Sequence, residues 1–284
     1  MCDSIYRKEQ IKHMDITAVN NYIRQIEKSE TKVISPTGDK LKVGVDLGTA
    51  YIVVVVLDEH NNPVACEKRA ANVLKDGVVV DFMGAANIVS ELKSTLESRI
   101  GRKLSQCAVA MPPGTQSSTK THVYVAESAG LNVVCILDEP SAANSVYKIS
   151  QGVIVDIGGG TTGLAVLRDG EVVYTADEAT GGTHISLVLA GNRGISFTDA
   201  EEIKLDNSNH NEILPIVRPV FEKMASIIKK HTSSVVPEVI YLCGGTCCFT
   251  GMEKVLEAEL GIPVIKPENP LLITPAGIAI NCIP

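Results

Sequence analysis

A pattern of strand, glycine turn and strand occurs twice in this chain, and it constrains the fold more than any other feature. The first copy spans residues 43–57 and the second spans residues 153–167. In each copy an apolar run reaches one aspartate, Asp46 or Asp156, and then a glycine bend. A second apolar run follows directly, so each copy predicts a β-hairpin. The repetition predicts a chain with two similar halves.

The two predicted turns also indicate a chemistry. Glycines let the backbone N–H groups approach an anion closely, and the hydroxyls of Thr49 and Thr161 add donors. A carboxylate beside a phosphate is unfavourable unless a cation lies between them. Mg²⁺ prefers carboxylate and phosphate oxygens together. The pattern therefore predicts a site for a nucleotide with Mg²⁺ rather than for bare phosphate.

Two other phosphate motifs are tested and rejected. Residues 158–163 fit G-x-G-x-x-G, but a dinucleotide fold requires a helix directly after these glycines. Here a second apolar run, an Asp169-Gly170 turn and a third apolar run follow, which predicts a hairpin. No G-x-x-x-x-G-K-[ST] sequence is present, so a P-loop is excluded.

Composition limits the partners and the compartment. The formal net charge of −7 without a long basic run argues against nucleic acid or an anionic membrane as the main partner. No apolar run approaches the roughly 20 residues of a membrane span, and the N-terminus lacks a signal peptide's apolar segment. The eight cysteines contain no C-x-x-C pair, which favours buried, reduced thiols over a zinc site. We therefore expect a cytoplasmic protein.

Apolar runs that alternate with helical patterns predict an α/β chain in three parts. These are an N-terminal extension over residues 1–41, a first domain over 42–150 and a second domain over 151–284, whose last helix returns towards the first domain. Helices are predicted near residues 85–100, 115–129, 184–190, 198–204, 212–231, 250–260 and 274–280.

The extension contains one amphipathic helix. Ile16, Val19, Ile23 and Ile26 fall on one face of it, with Asp15 as a candidate cap. This apolar face either packs on the chain's own domain or docks a partner protein. The spacing leaves both interpretations open.

Five motifs, taken in order, resemble the actin and heat-shock-chaperone superfamily of ATPases. They are the two hairpins, a connecting helix entered at residues 139–143, a Gly-Gly-Thr loop at 244–246 and a last helix at 275–277. The similarity covers about residues 42–282. It implies a duplicated actin-like fold of two domains, with mixed sheets flanked by helices and a nucleotide cleft between them.

The resemblance assigns roles to residues that match the motifs. It implies ATP or ADP with Mg²⁺ as the ligand, with Asp46 and Asp156 as partners of the metal. Together with Glu139, which would orient the attacking water, these aspartates are the candidate catalytic residues. The residues implied to bind the nucleotide are Gly48, Thr49, Ala50, Gly158, Gly159, Gly160, Thr161, Thr162, Glu201, Lys204, Gly244, Gly245 and Thr246.

The chain also departs from the superfamily's pattern. Thr162 and Gly163 stand where chaperones usually carry an aromatic residue and an aspartate, and cysteines 247 and 248 stand where an arginine often stacks on adenine. The lysine that contacts the γ-phosphate has three basic candidates, Lys68, Arg69 and Lys75. The resemblance thus implies ATP binding and leaves hydrolysis open.

Within the superfamily, the sequence is similar to a small stand-alone branch that serves in ethanolamine utilisation. Residues 43–50, 76–82 and 137–143 carry this similarity, together with the short length. It implies a chaperone-like protein that assists the ethanolamine-degrading enzymes or their microcompartment, with a protein client. Two alternatives stay open: a small-molecule kinase of the same superfamily, and an actin-like filament or scaffold protein.

Overall fold

The computed structural model describes residues 16–113, 119–235 and 237–283. Two five-stranded sheets dominate it, with the orders β3-β2-β1-β6-β7 and β10-β9-β8-β11-β12. The first contains β1 Leu41–Leu47, β2 Tyr51–Asp58, β3 Pro63–Ala70, β6 Gln106–Met111 and β7 Asn132–Asp138, and the second contains β8 Gly152–Ile157, β9 Thr162–Arg168, β10 Glu171–Glu178, β11 Ile240–Cys243 and β12 Val264–Ile265. A small hairpin, β4 Leu74–Lys75 with β5 Val78–Val79, lies apart.

The second sheet repeats the first strand for strand. In each sheet the first three strands in the chain pair antiparallel, and the other two strands extend the sheet in parallel. Both sheets are therefore mixed, as the resemblance to the actin and heat-shock-chaperone superfamily implies. Asp169 and Gly170, with φ of 54° and 83°, make the turn between β9 and β10, where a dinucleotide fold would need a helix.

The described helices are close to their predicted positions. They are α1 Thr17–Ser29, α2 Phe82–Ile100, α3 Thr119–Ser128, α4 Glu139–Tyr147, α5 Gly182–Arg193, α6 Phe197–Leu205, α7 His210–Thr232, α8 Met252–Leu260 and α9 Ile273–Ile280. The predicted start of the third helix near residue 115 lies outside the described residues. None of the described helices is long and apolar enough to cross a membrane.

The helices and sheets form layers around three main apolar clusters. One cluster joins the outer face of the first sheet to α2 and α3, and another joins the outer face of the second sheet to α5, α7 and α8. The third lies between the sheets and contains residues of both, together with α1, α4 and α9. We call the first sheet with its outer helices the first lobe, and the second sheet with its outer helices the second lobe. The domain limits at residues 41 and 150 stay predictions.

Strand alternation places both aspartates between the lobes. Val43, Val45 and Leu47 point to the outer cluster of the first lobe. Because successive side chains of a strand point to opposite faces, Asp46 faces the space between the sheets. The same alternation in β8 turns Asp156 inward.

Helix α1 packs against the chain itself. Val19, Ile23 and Ile26 are buried in the cluster between the sheets, so the structure confirms the first of the two interpretations of this helix. The candidate cap Asp15 lies outside the described residues.

Helix α9 returns to the first lobe. A Cβ atom added at Gly277 would lie 1.8 Å from the carbonyl oxygen of Ala142, and one added at Gly44 would lie 2.4 Å from the nitrogen of Ala279. The backbones of α9, α4 and β1 can approach this closely only because these positions carry no side chain.

Candidate nucleotide-binding cleft

The two glycine turns face each other across a cavity between the lobes. This cavity is open to solvent, has about 610 Å³ of space when its mouth is counted, and is lined by the first residues after β1 and β8. The structure brings most of the phosphate and metal residues predicted from the sequence into its lining: Asp46, Gly48, Thr49, Ala50, Glu139, Asp156, Gly158, Gly159, Gly160, Thr161, Gly244 and Gly245.

Three carboxylates at the bottom of this cavity have raised pKa values. Burial and the neighbouring Asp156 raise the pKa of Asp46 to about 7. Burial, followed by the charges of Asp156 and Asp46, raises the pKa of Glu139 well above its usual range. The pKa of Asp156 is also raised by burial, although a hydrogen bond from the Thr274 hydroxyl opposes the rise. None of the described lining residues is basic, so the cavity lacks a cation to compensate these acids.

Helix α4 explains how Glu139 reaches the cavity. The side chain of Asp138 caps this helix by accepting a hydrogen bond of 2.8 Å from the backbone N–H of Ser141. Glu139 follows as the first helical residue. Its carboxylate is therefore presented at the helix start, where the helix dipole favours negative charge.

The lobes touch at the second glycine turn. A Cβ atom at Gly160 would lie 2.8 Å from the Cα of Asp76 and 2.9 Å from the Oγ1 of Thr49. The backbone N–H of Gly77 also donates a hydrogen bond of 3.3 Å to the Oγ1 of Thr49. The β4–β5 hairpin thus lies directly over the phosphate end of the cleft.

A second cavity of about 720 Å³ adjoins the first. It contains the predicted adenosine-binding residues Glu201, Lys204, Gly245 and Thr246. The Lys204 ammonium donates to the Glu201 carboxylate at 2.7 Å, and burial lowers the pKa of Lys204. The Thr246 hydroxyl donates at 2.7 Å to the carbonyl oxygen of Gly158, which joins the two halves of the cleft.

One predicted ligand residue points elsewhere. The Thr162 side chain is fully buried, and its hydroxyl donates a hydrogen bond of 2.6 Å to the carbonyl oxygen of Thr180. Thr162 begins β9, and in this alternation its side chain enters the protein while Thr161 lines the cavity. The structure therefore does not place Thr162 with the other predicted nucleotide residues.

Several residues of the cleft escape prediction from the sequence. Thr274 contacts Asp156 from a position 118 residues later in the chain; the only signal is a lone hydroxyl in an apolar run. His210 stacks on Phe249 with ring centroids 4.0 Å apart and lines the second cavity. Asp177 lies next to the cleft, where burial and then the charge of Asp156 raise its pKa to about 6 against a hydrogen bond with Thr161.

The carboxylates of Asp46 and Asp156 fit a Mg²⁺ ion whose remaining ligands are water and phosphate oxygens. Within residues 16–113, 119–235 and 237–283, no three acidic, histidine or cysteine side chains converge closely enough to hold a metal ion. Mg²⁺ usually takes one or two carboxylates and completes its shell with water and phosphate. Asp46 and Asp156 provide such a pair, and a divalent cation would offset their mutual repulsion.

Comparison with solved structures defines the class of the fold. MreB5 of Spiroplasma citri, solved with AMPPNP bound, superposes with a TM-score of 0.67 at 20% identity, over 85% of this chain and 95% of that one. The family described as type IV pilus assembly protein PilM matches residues 122–270. The chain therefore has the fold of the actin-like ATPases.

Closer relatives define the family. The ethanolamine utilization protein EutJ of Escherichia coli K12 is 43% identical over 244 residues, which is 86% of each chain. The crystal structure of EutJ from Carboxydothermus hydrogenoformans superposes with a TM-score of 0.88 at 45% identity, over 94% of this chain and 99% of that one. The chain belongs to the EutJ family of ethanolamine utilization proteins.

Proposed function

We propose that this chain binds ATP with Mg²⁺ in the cleft and acts in ethanolamine utilisation as a chaperone-like partner of other proteins. The observation that carries the proposal is the pair of glycine turns that face each other over buried carboxylates. Their backbone N–H groups suit phosphates, and the adjoining cavity provides room for a nucleoside. The nucleotide-bound MreB5 structures share this fold, which supports the assignment of the ligand.

The side chains divide the work in the proposed complex. Gly48, Thr49 and the turn at residues 158–161 hold phosphate from opposite lobes. Mg²⁺, when bound near Asp46 and Asp156, supplies the positive charge that the phosphates and carboxylates share. Glu139 lies at the bottom of the same cavity, where its carboxylate can orient a water molecule. Hydrolysis of ATP is the reaction that this arrangement allows.

The three basic candidates for the γ-phosphate contact differ in the partners that they have within the protein. Lys68 donates to both oxygens of Glu30 at 2.7 Å, and Arg69 pairs with Glu91 on the surface. Lys75 is exposed at the mouth of the cleft and has no ion-pair partner among the described residues. We therefore assign the γ-phosphate contact to Lys75.

The protein role follows from the position of the ligand between two lobes. A ligand that contacts both turns favours the closed arrangement, and nucleotide state thereby changes the surface that a partner meets. The EutJ relatives carry ethanolamine utilization in their names. The proposed clients are the ethanolamine-degrading enzymes or their microcompartment, and the proposed location is the cytoplasm at that assembly.

Calorimetric titration with ATP tests the cleft, with and without Mg²⁺. We expect Mg-dependent binding by the wild type and at least roughly tenfold weaker binding by Asp46→Ala and by Asp156→Ala, because each loses a charged contact. Wild-type affinity in both variants, or no heat and no melting shift in the wild type, would overturn the assignment.

Three further assays separate the possible roles. Phosphate release without a small substrate, together with nucleotide-dependent binding to ethanolamine-degrading enzymes, supports the chaperone-like function. ADP formation that requires a small alcohol or sugar would identify a kinase instead. Sedimentation that appears only with ATP would identify a filament.

A further inference from the structure

Helix α1 contacts both lobes. Its apolar face explains how it packs between the sheets, but not the contacts that its polar side chains make. Its polar side chains contact the first lobe at one set of positions and the second lobe at another. Neither set belongs to the motifs that build the cleft. Both sets lie close to the second cavity, the one that contains the predicted adenosine-binding residues, which we call the nucleoside cavity; the first cavity is the phosphate cavity.

On the first lobe, α1 is fixed by three hydrogen-bonded contacts. The Tyr22 hydroxyl donates to the carbonyl oxygen of Asn61 at 3.0 Å. Arg99 donates to the carbonyl oxygen of Ser29 at 2.8 Å. Glu30, directly after the helix, accepts from Lys68, whose side chain lines the nucleoside cavity.

On the second lobe, α1 contacts Glu268 and Asn269, which lie shortly after the end of β12. The guanidinium of Arg24 forms a two-pronged pair with Glu268, in which Nε donates to Oε2 at 2.6 Å and Nη2 donates to Oε1. The backbone N–H of Glu268 donates to Asn20 at 3.0 Å. The side-chain amide of Asn269 donates to Glu27 at 2.9 Å.

The residues next to these contacts form part of the cleft. The carbonyl oxygen of Pro270 accepts a hydrogen bond of 3.0 Å from the backbone N–H of Gly244. Gly244 begins the Gly-Gly-Thr loop at residues 244–246, which we call the adenosine loop. Leu271 lines both the phosphate cavity and the nucleoside cavity. Leu271 is therefore part of the cleft wall on the side of the second lobe. Glu268 and Asn269, just before it in the chain, are held from outside by a helix that is anchored on the first lobe.

We propose that α1 is a strap between the lobes and that Arg24 is a positioning residue, whose pair with Glu268 restrains opening of the cleft and slows nucleotide release. This inference rests on the proposed nucleotide function. Opening of the cleft separates the first lobe from residues 268–271, and the Arg24–Glu268 pair must break or stretch when they separate. A two-pronged arginine–carboxylate pair resists such a displacement more than a single contact does.

Charge reversal in the full-length chain tests the strap. We measure release of a fluorescent ATP analogue with Mg²⁺ after a chase with excess ATP, at low salt. Arg24→Glu and Glu268→Arg should each raise the release rate about three- to tenfold, because like charges then face each other. The double variant Arg24→Glu/Glu268→Arg should restore the wild-type rate to within about twofold, which a merely structural defect would not do.

A matched ion pair within one lobe provides the control. Arg218 donates to Glu222 at 2.7 Å on α7, and these side chains are 47% and 42% exposed, against 47% and 49% for Arg24 and Glu268. Arg218→Glu should leave the release rate within about twofold of wild type, because this pair does not cross between lobes. The effect of Arg24→Glu should shrink in 1 M salt, where the Debye length is about 3 Å.

The outcomes separate the strap from the nucleotide site. An unchanged rate in Arg24→Glu and in the milder Arg24→Gln, or no rescue by the double variant, would overturn the strap while Mg-ATP binding still supports the cleft. An equal increase from Arg218→Glu would also overturn it. A wild-type chain that binds no nucleotide would overturn the proposed function, and the strap with it.

Discussion

The two glycine hairpins share a sequence pattern, but their polar groups differ in the hydrogen bonds that they make with the rest of the protein. In the second hairpin, Asp156 accepts a hydrogen bond from Thr274, and the carbonyl oxygens of Gly158 and Gly159 accept hydrogen bonds from the adenosine loop and from the start of α5. The second hairpin is thus the fixed side of the cleft. In the first hairpin Thr49 accepts a hydrogen bond from Gly77, but the Asp46 carboxylate has no hydrogen bond from the described residues and is free for a ligand.

The largest expected effect concerns the point where the two turns meet. Gly160→Ala adds a Cβ that would lie 2.8 Å from the Cα of Asp76, so the lobes cannot close as they do here. Overpacking of this kind costs about 1–3 kcal/mol, and Mg-ATP affinity measured by calorimetry should fall roughly tenfold to hundredfold.

Gly158→Ala is the matched control in the same turn. Its added Cβ would meet only the carbonyl oxygen of Thr161, at 3.9 Å. We expect a smaller loss of affinity, because this change does not obstruct the contact between lobes. A larger loss in Gly158→Ala than in Gly160→Ala would show that close approach of the lobes does not limit binding.

The next effect is a dependence of stability on pH that originates in the buried carboxylates of the cleft, on both hairpins. The pKa of Asp46 is about 7 in the fold and that of Asp177 is about 6, against an unfolded value of about 3.9. The folded chain binds more protons in this window, so its stability falls as pH rises from about 4 to about 7. Glu178, whose pKa its partners Lys230 and His231 lower to about 2, acts only at more acidic pH.

Thermal melting without nucleotide measures this dependence. The melting temperature should drop by roughly 5 °C between pH 5 and pH 8, for a loss of a few kcal/mol. Asp46→Asn should flatten part of the drop and should melt above the wild type at pH 8, while Glu139, Asp156 and Asp177 account for the rest. If Asp46→Asn follows the wild-type curve, the acidic repulsion lies elsewhere in the cleft.

The smallest effect probes the fixed side. Thr274→Val preserves the shape of the side chain and removes the hydroxyl that donates to the buried Asp156. Loss of that hydrogen bond should lower the free energy of unfolding by about 1–2 kcal/mol. Without this donor the pKa of Asp156 should rise further, so Mg-ATP affinity should decline more steeply on acidification than in the wild type. Identical pH profiles would mean that Thr274 does not tune this carboxylate.

Local patterns predicted much of this structure. The apolar runs and glycine turns of residues 43–57 and 153–167 predicted both hairpins. Once the strands form, the inward direction of Asp46 and Asp156 follows, because side-chain direction in a strand depends only on position. The apolar run after Gly163 distinguishes a hairpin from a dinucleotide fold, because a dinucleotide fold requires a helix at that point. The helix of the extension was equally readable from its period.

The contacts that tune the site were not readable, because they join distant parts of the chain. Thr274 reaches Asp156 across 118 residues, and Arg24 reaches Glu268 across 244. Thr162 was assigned to the ligand by analogy of motif, but the alternation of β9 sends its hydroxyl to Thr180. Spacing identifies which residues can meet, and tertiary packing decides which of them do.

The apolar cluster between the sheets has a consequence for unfolding. It draws Val53 and Val55 from one half of the chain and Ile154 and Ala165 from the other, with α4 and α9 packed among them. Neither half can lose its order without exposing the apolar surface on which the other depends. Two halves that repeat each other in strand order should therefore melt in a single cooperative transition, with equal calorimetric and van't Hoff enthalpies.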